Sequence, residues 1–445
     1  MKKVLILAAL IAFTVGIVLL GQRPAVKPNV LVILIDTLRA DHLGMNGYER
    51  NTSPFLDSFA KENLNFTKAM SSASWTPPSV ATLVSGMYAS IHGHMPLRSQ
   101  TDYGKRFTKL DDSFITMAEV FKGAEYSTAA ISANPIISKK YGFAQGFDLF
   151  VSPGRENAEK VNARTKKYLS TMRPKDKPFF LYLQYMDPHD PYDPPAPYDK
   201  SFQGTLKSRE YPKQQADFIN QYDGEISYVD TKISELFTWL KTQGLYEDLI
   251  IMIVSDHGEQ FLERGYQGHA DRTYLEEAHV PFILKTKGKK GDIDTIVSTV
   301  DMFPTVLDAA GVEFKHPVHG YSLLSDLEKR SKEGVMSEII RHVNEKSFTA
   351  PNGMKLINEY PMQRGMFVAP ELLTKDAEMK SSKIFDINKD QFELSPMSDS
   401  NARQTLEEEF SALYQKVLKL KGLYTTGDVE LDEKGIEELK TLGYF

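Results

Sequence analysis

The sequence predicts an α/β protein with a largely parallel central sheet and helices on both faces of that sheet. Two segments, Asn29 to Asp36 (NVLVILID) and Leu249 to Asp256 (LIIMIVSD), are almost entirely apolar. Such composition is typical of strands buried on both faces, as in parallel sheets. Amphipathic helical stretches separate the strand-like runs, and this alternation indicates a layered α/β domain.

The main domain is predicted to extend over residues 28–311. Its predicted strands are Asn29 to Asp36, Ser127 to Ala133, Phe179 to Met186 and Leu249 to Asp256. Its predicted helices are Ser53 to Glu62, Ser113 to Lys122, Glu156 to Met172 and Gln214 to Gln243, because their apolar residues recur with helical spacing.

The pattern changes after Asp301, where shorter elements predict a smaller C-terminal α+β subdomain over residues 312–445. A helix from Met302 to Ala310 is expected to end at Gly311, a common residue just after helix C-termini. Strand-like pieces and a charged helix follow, at about Glu338, Lys355 to Ile357, Ile384 to Ile387 and Ala402 to Leu420.

Residues 1–21 are predicted to be a signal anchor or a signal peptide. Lys2 and Lys3 precede an apolar run from Val4 to Leu20. Lysines ahead of such a run favour an N-terminus inside the cell and export of the rest of the chain. Because no A-x-A cleavage site follows, an anchor with the rest of the chain outside the cytoplasm is favoured. The alternative is a cleaved signal and a secreted or periplasmic protein.

Composition excludes several classes of site. The 445 residues include no cysteine, which excludes disulfides, thiolate metal sites and cysteine nucleophiles. The formal net charge is −6, and no stripe of basic and aromatic residues is present. Nucleic acid is therefore not an expected partner.

Acidic residues lie at the carboxyl ends of the predicted strands, where functional residues of parallel sheets gather. Asp36 and Asp256 end two of the apolar runs. A carboxylate at such a buried position needs a cation or hydrogen-bond donors. The structural alternative for Asp36 is capping of the following turn.

Thr76 precedes Pro77, Pro78 and a predicted helical stretch from Ser79 to about Met87. A threonine before proline is a common helix N-cap, and this is its structural alternative. The same position also places a hydroxyl at the end of a helix that favours anions.

Asp256 and His257 are adjacent at a strand end, which favours a divalent cation, although a polar turn is the simpler alternative. If the fold brings them to Asp36 and Thr76, these four residues could hold one divalent ion, whether Mn, Zn, Mg or Ca. Such an ion would activate the Thr76 hydroxyl for attack on phosphorus or sulfur, giving a covalent threonine ester.

A series of motifs resembles the sulfatase family of the alkaline-phosphatase superfamily. They are, in order, IDTLRADHLG, TSPFLDSFAKENLNF, WTPPSVATLVSG, YMDPHDPYDPP, SDHGE, GHADRTYLEEAHVPFIL, STVDMFPTVLDAAG, FDINKDQFEL and ELKTLGYF. The resemblance implies an alkaline-phosphatase-like three-layer sandwich and covers nearly the whole chain after the N-terminal segment.

The same resemblance implies roles for individual residues. It places Asp36, Asp256 and His257 at metal-binding positions and Thr76 at the nucleophile position. His189 and His269 resemble the histidines that contact substrate oxygens and protonate the leaving group; taken singly, each could be a surface or packing residue. Supporting roles are expected for Arg39, Asp41 and His42.

The chain also departs from the family pattern. True sulfatases have Cys or Ser in C/S-x-P-x-R, whereas this chain has Thr76-Pro77-Pro78-Ser79-Val80. The lysine-bearing G-K-W-H-L-G motif is absent, and Thr37 stands in place of a second aspartate. With these differences, the chain resembles the phosphoglycerol and phosphoethanolamine transferases, which have a threonine nucleophile.

The expected function is therefore metal-dependent hydrolysis or transfer of phosphate esters, with sulfate esters as the second choice, and with small molecules or envelope lipids or glycans as substrates. The alternatives are a true sulfuric ester hydrolase and a non-catalytic sulfatase-like binding protein.

Overall fold

The computed structural model describes residues 27–93, 106–207, 211–340, 344–360, 379–430, 432–433 and 436–437. The predicted anchor or signal segment, residues 1–21, lies outside these ranges. Within the described residues, none of the helices combines the length and apolar character needed to cross a membrane.

The strands and helices are numbered in chain order. The strands are β1 (Val30–Ile35), β2 (Leu64–Met70), β3 (Arg106–Lys109), β4 (Ser127–Ser132), β5 (Leu149–Val151), β6 (Phe179–Tyr185), β7 (Ile250–Val254), β8 (Gln260–Phe261), β9 (Gln267–Gly268), β10 (His279–Val280), β11 (Phe282–Lys285), β12 (Gly291–Ser298), β13 (Val335–Ile340), β14 (Asn344–Thr349), β15 (Met354–Tyr360), β16 (Ser381–Asp386) and β17 (Gly427–Glu430). The α-helices are α1 (Pro54–Glu62), α2 (Thr76–Ser85), α3 (Ala89–His92), α4 (Met117–Gly123), α5 (Ala158–Lys167), α6 (Lys213–Thr242), α7 (Leu275–Ala278), α8 (Met302–Ala309), α9 (Leu327–Arg330) and α10 (Ser400–Leu418).

The main sheet has the strand order β10-β2-β11-β7-β1-β6-β4-β5, with β12 paired to β2. Its central part is parallel: β1 pairs in parallel with β6 and β7, and β4 pairs in parallel with β5 and β6. Every residue of β1 and β7 is buried, which explains why these strands contain almost only apolar residues. The predicted α/β fold with a mostly parallel central sheet is confirmed.

The helices form two groups that make up the layers around this sheet. In one group α6 packs against α1 and α5, and in the other α2, α4 and α8 pack against one another. Helix α4 begins at Met117 rather than at the predicted Ser113, because Thr116 and Glu119 form a capping box there.

A second, antiparallel sheet with the order β13-β14-β15-β16 lies in the C-terminal part of the chain, and α10 packs on β15. The backbone N–H of Glu338 in β13 donates to the Ser72 carbonyl, 2.9 Å away, just before α2. The presence of a small C-terminal subdomain with helices and strands is confirmed, while its boundary at residue 312 stays a prediction.

Candidate active site

Two acidic residues meet at the carboxyl edge of the main sheet. Asp36 directly follows β1, and Asp256 lies two residues beyond the neighbouring parallel strand β7. Ligand atoms of Asp36, Asp256 and His257 all lie within 4.8 Å of one another, and the three side chains are fully buried. The fold therefore brings together the residues predicted to bind metal.

Thr76 joins this cluster from α2. It is the first residue of the helix; the N-cap position belongs to Trp75, whose side chain makes no capping bond. The proposed N-cap alternative for Thr76 therefore does not hold. Its hydroxyl donates to Asp36 Oδ1 at 3.4 Å and lies 3.2 Å from His257 Nε2.

Two serines tie the start of α2 to the end of β7. Ser79 Oγ donates to the Asp256 carbonyl at 2.6 Å, and Ser71 Oγ donates to the same carbonyl. The two hydroxyl oxygens are 3.2 Å apart. These bonds fix the helix that carries Thr76 relative to the strand end that carries Asp256 and His257.

Two neutral amides hold the second oxygen of the Asp36 carboxylate. Asn134 Nδ2 donates to Asp36 Oδ2 at 2.9 Å, and Gln184 Nε2 donates at 3.0 Å. Both residues are fully buried, and neither was singled out in the sequence. The sequence does mark these two residues. Gln184 is a glutamine among the apolar and aromatic residues of the buried strand FFLYLQY, and Asn134 lies just beyond the end of β4.

Asp256 has one satisfied and one unsatisfied oxygen. Its Oδ1 accepts the backbone N–H groups of Thr37 at 3.1 Å and His257 at 3.0 Å. Its Oδ2 is buried and has no hydrogen-bond partner among the described residues. Burial and the neighbouring Asp36 raise the pKa of Asp256 well above its ordinary value. A cation at Oδ2 would remove this cost of burying charge.

His257 is oriented as a ligand. Its Nδ1 lies 2.8 Å from the Gly258 carbonyl, so the neutral ring donates from Nδ1 and leaves Nε2 toward the cluster. Burial lowers the pKa of His257, which favours this neutral form. Two carboxylates, one imidazole nitrogen and a nearby hydroxyl fit one divalent cation that accepts oxygen and nitrogen ligands.

His189 and His269 line the same site. The ring centroids of His257 and His269 are 4.5 Å apart, and those of His269 and His189 are 5.0 Å apart. His269 Nδ1 lies 2.8 Å from Oε1 of the buried Glu259. Glu259 is a site residue that sequence reasoning missed, although it lies two residues after His257 in the SDHGE motif.

The His189 ring has one bonded and one unbonded nitrogen. Its Nδ1 is 2.5 Å from the Asp190 carbonyl, whereas its Nε2 is buried with no hydrogen-bond partner among the described residues. Burial lowers the pKa of His189. The neutral ring thus donates from Nδ1 and keeps Nε2 as an acceptor.

Arg39, Asp41 and His42 lie behind the cluster and contribute no atom to it. Arg39 Nη1 donates to the Glu259 carbonyl at 2.8 Å, and its guanidinium pairs with Asp41 at 2.8 Å. His42 Nδ1 lies 2.8 Å from Asp223 in α6. Their position is that of residues supporting the site.

The chain matches known proteins over most of its length. The family model described as Sulfatase matches residues 28–312. The chain is 24% identical over 393 residues to an arylsulfatase of Clostridium perfringens, which covers 68% of this chain and 79% of that protein. It is 22% identical over 470 residues to an endo-4-O-sulfatase of Bacteroides thetaiotaomicron, covering 86% of this chain and 90% of that protein.

A solved structure has the same fold. The phosphonate monoester hydrolase of Agrobacterium radiobacter superposes with a TM-score of 0.64 at 17% identity, covering 91% of this chain and 100% of that one. The family match extends over both strand ends that carry the acidic cluster and over Thr76, His189 and His269. The chain belongs to the sulfatase family and is an ester hydrolase of that family.

Proposed function

We propose that this chain cleaves sulfate or phosphate-type esters bearing a single negative charge, through a covalent ester on Thr76. The observation that carries the proposal is the position of the Thr76 hydroxyl, 3.4 Å from Asp36 Oδ1 and 3.2 Å from His257 Nε2. A threonine at this position is not the Cys or Ser that true sulfatases convert to formylglycine, so its own alcohol is the nucleophile.

The chemistry of the first step follows from this geometry. Asp36, Asp256 and His257 would hold a divalent cation, which would supply Lewis acidity that favours the alkoxide form of a nearby alcohol. Thr76 Oγ, once its proton has been lost to solvent, forms the new bond to sulfur or phosphorus, and the bond from that atom to the leaving oxygen breaks. The leaving oxygen takes the electron pair and a proton from His269, whose Nδ1 is held by Glu259.

The second step returns Thr76 to its starting state. His269, now neutral, accepts a proton from the attacking water, which forms the new bond to sulfur or phosphorus as the bond to Thr76 Oγ breaks. His189 Nε2 is positioned to accept a hydrogen bond from a substrate hydroxyl or from this water. An acceptor alcohol in place of water would make the same site a transferase.

The charge of the site limits the charge of the substrate. Among the residues that the structure describes, the basic groups nearest to Asp256 and Glu259 are the imidazoles of His257 and His269, and no arginine or lysine forms an ion pair with either carboxylate or with Asp36. A bound divalent cation must therefore offset the electrostatic repulsion between an incoming anionic substrate and the three carboxylates of Asp36, Asp256 and Glu259. Sulfate monoesters, phosphodiesters and phosphonate monoesters carry one charge, whereas phosphate monoesters approach two at neutral pH.

A panel of aryl esters tests this proposal. The purified protein, loaded in turn with Mn²⁺, Zn²⁺, Mg²⁺ or Ca²⁺, would be assayed on an aryl sulfate, an aryl phosphodiester, an aryl phosphonate monoester and an aryl phosphate monoester. We expect the phosphate monoester to be the poorest substrate. We also expect mass spectrometry of quenched reactions to find a sulfate or phosphorus adduct on Thr76. Absence of turnover and adduct with every metal would support the alternative, a non-catalytic binding protein.

Two observations point to different central atoms. The relatives named arylsulfatase and endo-4-O-sulfatase favour sulfate and, for the second, a glycan substrate. Thr76 favours phosphorus, as do the absence of a paired arginine or lysine at these carboxylates in the described part of the chain and the resemblance to threonine-nucleophile transferases. The ratio of kcat/KM for the aryl sulfate to that for the phosphodiester decides between a true sulfatase and a phosphoesterase.

We further propose that the protein is exported and stays attached to the membrane through residues 1–21. The apolar run from Val4 to Leu20 behind Lys2 and Lys3 supports this. Recovery of the mature chain in membrane fractions with its N-terminus intact is expected. Recovery in the soluble fraction, with the first residues removed, would instead identify a cleaved signal.

A further inference from the structure

We propose that Arg155 is a positioning residue that fixes the imidazole of His189 by binding the backbone around it. The inference rests on the proposed function for its catalytic consequence, but its structural part can be tested without turnover. Arg155 lies in the loop between β5 and α5, outside every motif that identifies the family.

The Arg155 guanidinium binds three consecutive carbonyl groups. Nη2 donates to the carbonyl of His189 at 2.7 Å and to that of Pro191 at 3.2 Å, and Nη1 donates to the carbonyl of Asp190 at 2.6 Å. A planar group with several fixed donors suits this arrangement, and a lysine ammonium cannot reproduce it. The guanidinium therefore sets the conformation of the loop on both sides of His189.

One of these carbonyls also orients the histidine ring. The Asp190 carbonyl accepts from Arg155 and lies 2.5 Å from His189 Nδ1. This contact keeps the proton on Nδ1 and leaves Nε2 as the acceptor in the site. Because the Arg155 guanidinium holds the Asp190 carbonyl, removing the guanidinium is expected to free both this carbonyl and the His189 ring.

Other bonds hold the ends of the loop and do not replace Arg155 at its centre. Asp187 Oδ2 accepts the backbone N–H of Ala158 at 2.8 Å, and Glu225 Oε1 accepts that of Asp193 at 2.9 Å. Arg155 itself is exposed to solvent. The protein is therefore expected to fold without it, while the middle of the loop loses its restraint.

The first experiment compares Arg155→Ala with Arg164→Ala. Arg164 is a matched control, because its side chain is 41% exposed and its two hydrogen bonds of 2.7 Å go to Glu156, next to Arg155, and not to the His189 loop. With the best aryl ester, we expect Arg155→Ala to lose about 10- to 100-fold in kcat with little change in KM, as for other residues that orient a ligand or catalytic group. Arg155→Lys should recover part of this loss, and Arg164→Ala should match the wild type.

A double mutant separates a positioning role from general support of the fold. If Arg155 acts through His189, Arg155→Ala should cost less than about twofold in kcat when introduced into His189→Ala. An equal loss in both backgrounds would overturn the proposal. So would a wild-type kcat for Arg155→Ala.

The second readout does not depend on activity. Nitrogen chemical shifts of ¹⁵N-histidine-labelled protein report which ring nitrogen carries the proton, and His189→Gln assigns the signal. We expect a single Nδ1–H tautomer of His189 in the wild type and in Arg164→Ala, and a mixture of tautomers in Arg155→Ala. An unchanged tautomer would overturn the inference, whereas absence of ester turnover in the wild type would count only against the proposed function.

Discussion

Asp256 and Glu338 are both carboxylates with 0% exposure, but they differ in how many of their oxygens have partners within the protein. Glu338, in the second sheet, forms an ion pair with the buried Lys346 and accepts the Ser90 backbone N–H at 3.0 Å and the Ser90 hydroxyl. Asp256, at the carboxyl edge of the main sheet, has two backbone donors on Oδ1, whereas its Oδ2 has no hydrogen-bond partner among the described residues.

The difference separates a structural carboxylate from a binding one. A buried charge with a complete set of partners holds two elements together, here β13 and β14. A buried carboxylate with an open oxygen is costly to keep charged, and a bound cation at that oxygen would remove the cost. Variants at the two sites should therefore lose different properties, and the following changes test this from the largest expected effect to the smallest.

Replacing the nucleophile should have the largest effect. Thr76→Ala removes the atom that forms the covalent ester, and we expect kcat to fall by about 10³-fold or more. Elemental analysis should find the metal content nearly unchanged, since Asp36, Asp256 and His257 remain. Wild-type rates in this variant would show that the hydroxyl has no chemical role.

Breaking the structural pair should cost stability. Glu338→Gln leaves Lys346 buried without its counter-charge, and the free energy of unfolding is expected to fall by about 3–5 kcal/mol. Denaturant titration measures this loss. Metal affinity at the main sheet should stay within a factor of two or so of wild type; a large drop would mean that the two regions are coupled.

The corresponding change at the open carboxylate should spare stability in the metal-free protein. Asp256→Asn removes a ligand and a charge, and we expect about 100-fold weaker binding of the divalent ion, at the upper end of losses seen around metal sites. Titration calorimetry on metal-free protein gives the affinity. Without metal, the variant should unfold at the same denaturant concentration as wild type or higher, because a neutral amide replaces a buried carboxyl group that is costly to ionise.

Glu259→Gln probes the partner of His269 and should have the smallest effect. An amide can still contact His269 Nδ1 but cannot stabilise a protonated ring, so kcat should fall about 10- to 100-fold for esters of weakly acidic alcohols. Esters with good leaving groups, which need no proton, should be nearly unaffected. An equal loss for both kinds of ester would argue against proton donation by His269.

The strand-end residues of the site could be predicted because position and chemistry agree in the sequence. Asp36, Asp256 and His257 end apolar runs, and the fold places them together. Strands β2 and β12 were not predicted, because their sequences LNFTKAM and GDIDTIVS mix polar and apolar residues without a clear period.

The supporting residues were harder to find. Asn134 and Gln184 depend on which strands become neighbours, since β4, β6 and β1 lie side by side only in the folded sheet. Arg155 binds through backbone carbonyls, which any sequence possesses. No local pattern distinguishes such an arginine from one that is solvated.

The bonds from Ser71 and Ser79 to the Asp256 carbonyl have a consequence for inactivation. They tie Ser79 of the nucleophile's helix, and Ser71 in the segment before that helix, to the strand end that carries the metal ligands, so these parts are expected to unfold together. Heating is therefore expected to abolish turnover and liberate the ion in a single cooperative event, with no long-lived inactive species that still retains its metal.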